Sequence, residues 1–397
     1  IILVIIFIIF TYSYEKNNVK YMSIFEILEY NYKLFLINNA GITNLYKNGS
    51  KLLNYLTDDP LLIKFHRRLN KKYGKFVTTY ITNTKNYYIL DINLSKQILI
   101  DSPNLFNAGN IKYDFFKSFM PNNLGISQCN KSKCPWNKSN CPWKNRRQFN
   151  ENVLSTNKNN NFLNCIPNIV NENISKPLLN IDDFKNVSYN IISQSIYGDI
   201  KHNKILKQFT EEIEKKNIIN TKFFKEYKID LHNSYKTSPN CSLLYYANMY
   251  KNNSLHVIDD QIPHWFGPFI FIINYLIPNL LCIIINFKEK YQKILDEINN
   301  ENFDLFSNNT YLHYCVIEHI RLFNTININI QRTVKEDMIY NNISFKKGEQ
   351  IFILFSSILR NQKQFYKSDN FIPERWENKS VYEQDIVFGI GPQQCPS

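Results

Sequence analysis

The sequence predicts a mainly α protein with small β-sheets, an α+β single domain behind an apolar N-terminal segment. Apolar residues recur at helical spacing through most of the 397 residues. Alternating β-branched and aromatic residues are confined to two places, residues 76–92 and 338–355. Hydrophobic residues make up 44 % of the chain, enough for a sizeable core.

The first ten residues, IILVIIFIIF, are apolar throughout and are followed by Lys16 and Lys20. A spanning helix needs about 20 residues, so the segment is short as it stands. A signal anchor over residues 1–21 is the preferred reading, beside a cleaved signal peptide or an interfacial helix. The rest, 22–397, then faces the cytosol from a membrane. From Ile24 to Tyr73 the pattern is helical, with Gly74 as stop and Arg67, Arg68, Lys71 and Lys72 favourable near a helix C-terminus. Residues 76–92 read as a hairpin, and INLSKQILID returns to helix. An irregular stretch over 104–140 precedes helices from Lys144 to about Lys228. A loop over 233–240 leads to a strongly apolar helical segment, Ile262–Phe287, which Pro278 should kink. FKEKYQKILDEI continues it as an amphipathic helix. One more helix follows Tyr311, then short strands over 338–355 and an irregular terminal stretch.

Ile, Asn, Lys, Tyr and Phe are common because they share AT-rich codons, so the many Asn-x-Ser/Thr triplets carry no message. The net charge of +13 suits an anionic partner. The basic residues are scattered, however, and no basic helix with interleaved aromatics argues for nucleic acid. Eight cysteines are too few for a disulfide scaffold, and a reducing compartment is the default. Cys165, Cys241, Cys282 and Cys315 read as ordinary buried thiols. Cys129, Cys134 and Cys141 lie close together, but no fourth ligand is spaced for zinc. The repeated CPW reads as a local duplication in a loop.

Four features could carry chemistry. TYLHYCVIEHIRLFN places Glu318 and Arg321 three apart on one helix face, where they can pair. FIPERW presents Arg375 on a rigid turn, a second cation for the same carboxylate. CPWKNRRQF projects the Trp143 indole and the Arg147 guanidinium the same way, a pair suited to an anion. FGIGPQQCPS wraps two glycines and a proline ahead of Cys395, and such a loop can aim backbone N–H groups at a thiolate bound to a soft metal.

Taken in order, Trp-x-x-x-Arg, Glu-x-x-Arg, Pro-Glu-Arg-Trp and Phe-Gly-x-Gly-Pro-x-x-Cys resemble the motifs of the cytochrome P-450 family of haem-thiolate enzymes. The ordered set is specific where each motif alone is not, and softer similarities extend it over residues 60–397. The resemblance implies the family's fold and haem b as cofactor. It makes Cys395 the axial ligand of the haem iron. Trp143, Arg147 and Arg332 would hold propionates, Phe388 and Gly391 would shape the cysteine loop, and Glu318, Arg321 and Arg375 would form a buried charge triad. It further implies an oxidoreductase, nominally a monooxygenase of an apolar small molecule. Electrons would come from an NADPH-dependent flavin reductase or another donor, and the protein would be a monomer.

Three departures from the family pattern matter. Gln393 stands where relatives usually carry a propionate-binding arginine. Ser397 stands where a glycine is usual, and the sequence ends where relatives continue into a helix beneath the haem. The segment Ile262–Asn286 contains no Asp, Glu, Ser or Thr, whereas the family's central helix usually carries an acid–threonine pair; proton delivery would fall to water, Asn274 or another group. A degenerate protein with weak or no haem binding, and an isomerase or peroxygenase, are therefore the alternatives. The same segment is long enough for a second membrane span, although its prolines, asparagines and His264 count against that.

Overall fold

The computed structural model describes residues 15–16, 19–34, 62–81, 84–108, 142–155, 160–174, 176–178, 180–214, 221–234, 238–250, 261–272, 276–323 and 329–395. The apolar residues 1–14, the cysteines at 129, 134 and 141, and Asn274 lie outside them. The chain forms two compact units, residues 1–109 with 283–394, and 110–282 with 395–397.

In the first unit, β1 (Glu15–Lys16) pairs antiparallel with β2 (Val19–Lys20), inside the segment read as an anchor. Tyr21 bridges to Thr78. A helix over residues 24–34 follows, then the helix Ile63–Tyr73. The latter stops at Gly74, whose N–H donates to Asn70 O at a φ of 83° that glycine adopts freely. The expected hairpin is present as β3 (Phe76–Ile81) and β4 (Thr84–Ile89), paired from Phe76–Ile89 to Ile81–Thr84. Asp91 then caps the helix Ile92–Ile100 by accepting from Leu94 N at 2.9 Å.

Both ends of the chain build one five-stranded sheet. Its order is β3-β4-β9-β6-β5, with β5 at Phe106–Asn107, β6 at Ile330–Val334 and β9 at Gln350–Ile353. β4 and β9 run parallel, and the other neighbours run antiparallel. β7 (Met338–Tyr340) and β8 (Ile343–Phe345) form a separate pair. β6 lies upstream of the strands expected over 338–355, because its short, polar-rich IQRTV has no alternation to announce it. Thr310 caps the helix Tyr311–Phe323 by accepting from His313 N at 3.1 Å. Glu297, at the end of the helix Lys288–Ile298, also accepts from the N–H groups of Tyr311 and Leu312, at 2.6 and 3.0 Å.

The second unit is helical: Pro142–Val153, Phe162–Asn173, Ile181–Tyr197, Asn203–Glu214, Thr221–Ser234, Leu243–Tyr250 and Ile262–Phe271. Asn180 caps the third of these through Asp182 and Asp183 N–H, both at 2.9 Å. Phe149, Val153, Ile192, Ile196, Phe209 and Leu244 belong to its core. The apolar segment from Ile262 divides into two ten-residue helices, Ile262–Phe271 and Ile277–Asn286. Pro278 is the second residue of the latter helix, where its missing N–H forfeits no intrahelical bond. Each half spans about 15 Å, half of a bilayer core. No helix among the described residues is long and apolar enough to cross a membrane.

The cysteines require a correction. Cys165 and Cys241 form a disulfide across 76 residues, with Cα atoms 5.8 Å apart, and Cys282 is exposed. Of the four, only Cys315 is the buried thiol expected. Spacing could not reveal the bond, since helix packing alone brings the start of one helix to the loop before another.

Candidate functional site

Glu318 is the centre of the first unit's polar core. It is 0 % exposed and accepts five hydrogen bonds. Arg321 Nε and Nη2 reach its two oxygens at 2.8 Å each, Arg375 Nε lies 3.0 Å away, and Trp376 Nε1 and Ile372 N complete the set at 3.0 Å. Arg321 spends its remaining donors on Leu359 O and Ser368 O at 2.8 and 2.7 Å, and on Asn370 O at 3.3 Å. Arg375 donates to Tyr366 O at 2.8 Å. The arrangement is local in its origin. The i, i+3 spacing on the Tyr311–Phe323 helix makes the bidentate pair, and the Pro373–Trp376 turn supplies both Arg375 and Trp376. Trp376 is a member of the network that motif reading passed over, although PERW contains it.

The cysteine loop begins where the turn Asp385–Phe388 ends. Gly389 and Gly391 have φ of 100° and 79°, a region open to glycine. Gly391 also lies so close to the Ile92–Ile100 helix that a Cβ would stand 2.4 Å from Leu99 O. Gln394 N donates to Gly391 O at 2.9 Å, closing a turn that leads directly to the exposed Cys395. Gln393 Oε1 is buried and has no hydrogen-bond partner among the described residues. Phe388 is half-buried. A cavity of about 410 Å³ lies against this loop, between Gly389, Ile390 and Gln394 on one side and Arg375, Trp376 and Lys96 on others.

Arg332 sits on β6 at 4 % exposure. Its Nε donates to Ser102 Oγ at 3.0 Å and its Nη1 to Gln331 O at 2.8 Å, and among the described residues no carboxylate pairs with it. Burial pushes its guanidinium down to about 10. A buried cation without a counter-charge is costly, and an anionic ligand would relieve it.

In the second unit, Trp143 is 4 % exposed at the start of its helix. Arg147 is half-buried and pairs with Glu151 one turn on, while Arg146 is the arginine buried at 3 %. The motif spacing points at Arg147, and only the packing shows Arg146 on the inner side.

The family model of cytochrome P-450 matches residues 275–396, which hold the Glu318 network, Arg332 and the cysteine loop. A cytochrome P-450 of Candida tropicalis is 27 % identical over 117 residues, 27 % of this chain and 23 % of that protein. The mitochondrial cholesterol side-chain cleavage enzyme of Hypanus americanus is 32 % identical over 83 residues, 20 % of this chain and 16 % of that protein. The matched part thus spans under a quarter of the length of these relatives. Over the whole fold, the structure of a zebrafish cytochrome P-450 with progesterone superposes with a TM-score of 0.64 at 14 % identity, covering 85 % of this chain and 87 % of that one.

Proposed function

We propose that this chain, which belongs to the cytochrome P-450 family, holds its haem b through Cys395 and serves as a monooxygenase of an apolar small molecule. The observation that carries the reading is the conjunction in one segment of a Glu318–Arg321–Arg375 network, centred on the wholly buried Glu318–Arg321 pair, and a glycine-shaped turn leading to Cys395.

The residues present fit the group. Cys395 offers an exposed sulfur that the Gly391–Gln394 turn leads to. Arg332 is a buried cation whose charge no described carboxylate balances, and a propionate would balance it. Trp143 offers an indole N–H and Arg147 a guanidinium to a second anionic arm. Haem, once bound, supplies the redox chemistry of oxygen activation. The protein's part is to place and hold. Glu318 locks the Tyr311–Phe323 helix to the Pro373–Trp376 turn, and Gly391 seats the cysteine loop on the Ile92–Ile100 helix. The turn that precedes Cys395 is thereby held on a rigid support.

A flavin-containing reductase is the proposed electron donor, and membrane attachment through residues 1–21 the proposed location. A second reading, a peroxide-dependent or rearranging enzyme, is favoured by the absence of Asp, Glu, Ser and Thr from Ile262–Asn286.

The test is the spectrum of the haem-supplied, reduced protein under carbon monoxide. A red-shifted Soret band is expected in the wild type and none in Cys395→Ala. A wild type without that band would overturn the reading. Dependence of turnover on reductase and NADPH, against dependence on peroxide, separates the two enzymatic forms.

A further inference from the structure

The helix Pro142–Val153, which carries Trp143 and Arg147, packs on the helix Ile262–Phe271 through Phe149 against Trp265 and is hydrogen-bonded to it through Asn150. Asn150 is 2 % exposed. Its Nδ2 donates to Arg146 O at 2.9 Å and to Gln261 Oε1 at 3.0 Å, and its Oδ1 accepts from Trp265 Nε1 at 2.6 Å. An indole nitrogen only donates, so the atom facing it is the Asn150 oxygen and the amide has one orientation. Gln261 must then turn its own oxygen to Asn150. Its Nε2 is left without a hydrogen-bond partner among the described residues, at a residue 0 % exposed.

The trio is therefore not built for stability alone. Apolar side chains of the same shape would fill the space without leaving a buried donor unsatisfied. What the amides add is a directional link that admits one rotation and one height of the first helix against the second. Asn150 lies seven residues after Trp143, close to two full turns, so the link acts on the helix face from which the Trp143 indole projects.

We propose that Asn150 is a positioning residue: held by Gln261 and Trp265, it sets the placement of Trp143 and Arg147 and thereby governs how tightly the chain grips an anionic arm of its ring cofactor. This rests on the haem reading above.

A double-mutant cycle on haem affinity tests it, with haemin titrated into the haem-free full chain and followed by absorbance. Asn150→Leu and Arg147→Gln are each expected to weaken affinity about ten-fold, and the double variant by about the same ten-fold, because the two act on one contact. A double variant weakened by about a hundred-fold would show independent effects and overturn the proposal, as would a single Asn150→Leu variant that binds like wild type. Trp265→Phe, which removes the indole N–H and keeps an aromatic ring in the core, carries the same cycle if Asn150→Leu does not fold. A wild-type chain that takes up no haem overturns the haem reading and this proposal with it. Uptake by the wild type with additive variants overturns this proposal alone.

Discussion

Arg321 grips Glu318 through both carboxylate oxygens at 2.8 Å, and both side chains are wholly buried. Arg375 adds a second cation to the same carboxylate. Removing the shared acceptor would strand two guanidinium groups, one of them with no access to water. Glu318→Ala is therefore expected to cost about 3–5 kcal/mol, read as a shift in urea denaturation. Arg321→Lys should lose most of the same stability, because an ammonium cannot span two oxygens. A variant as stable as wild type would show that the network does not hold the two elements together.

Gly391 distinguishes steric demand from conformational demand. Gly391→Ala places a Cβ 2.4 Å from Leu99 O and 2.9 Å from Ile100 Cα, whereas Gly348, at a similar φ of 89°, has open space around it. We expect Gly348→Ala to cost about 1 kcal/mol and Gly391→Ala at least 2–3 kcal/mol more, roughly the cost of overpacking. Equal thermal midpoints for the two variants would refute the close approach.

Among the described residues nothing donates to the buried Gln393 Oε1 in the cysteine loop. Gln393→Arg replaces that acceptor with donors and adds a charge suited to a propionate. Haem dissociation, followed by transfer to an acceptor protein, should slow by about ten-fold, the equivalent of one charge-assisted hydrogen bond. An unchanged rate would mean that position 393 does not face the cofactor.

Two buried imidazoles set an acid limit. Burial holds His66 down at about 3 and His319 at about 4, against an ordinary value of 6.5. Below pH 6.5 the unfolded chain takes up protons that the folded chain refuses. Stability is thus full above that pH and falls toward pH 4, by about 1.4 kcal/mol per unit for each ring. Urea denaturation at stepped pH should show this slope, and His319→Phe should remove one ring's share. A His319→Phe variant with the wild-type slope would show that the ring is not held neutral.

The Cys165–Cys241 bond closes a long loop whose ends stand 76 positions apart in sequence. On the chain-entropy account its reduction should cost about 4 kcal/mol. Dithiothreitol is expected to lower the denaturation midpoint of the wild type and leave Cys165→Ser unmoved. Alkylation of eight thiols in the untreated, unfolded chain, the full number in the sequence, would show that the bond does not form.

Local chemistry determined much of this on its own. Spacing of three put Glu318 and Arg321 on one helix face, and glycines at 389 and 391 announced a turn before Cys395, because such features act within a few residues. The alternation over 76–92 likewise declared its own hairpin. Tertiary structure decided what depends on distant neighbours. That Arg332 is buried with no described carboxylate to balance it follows from its place on β6 within a sheet drawn from distant parts of the chain. Arg146 rather than Arg147 faces inward because of what packs on that helix. Cys165 meets Cys241, and Asn150 meets Gln261 and Trp265, across 76 and more than a hundred residues. Loop closure over such distances carries no local signature, since its entropy grows only with the logarithm of length and the packing of whole helices selects the partners.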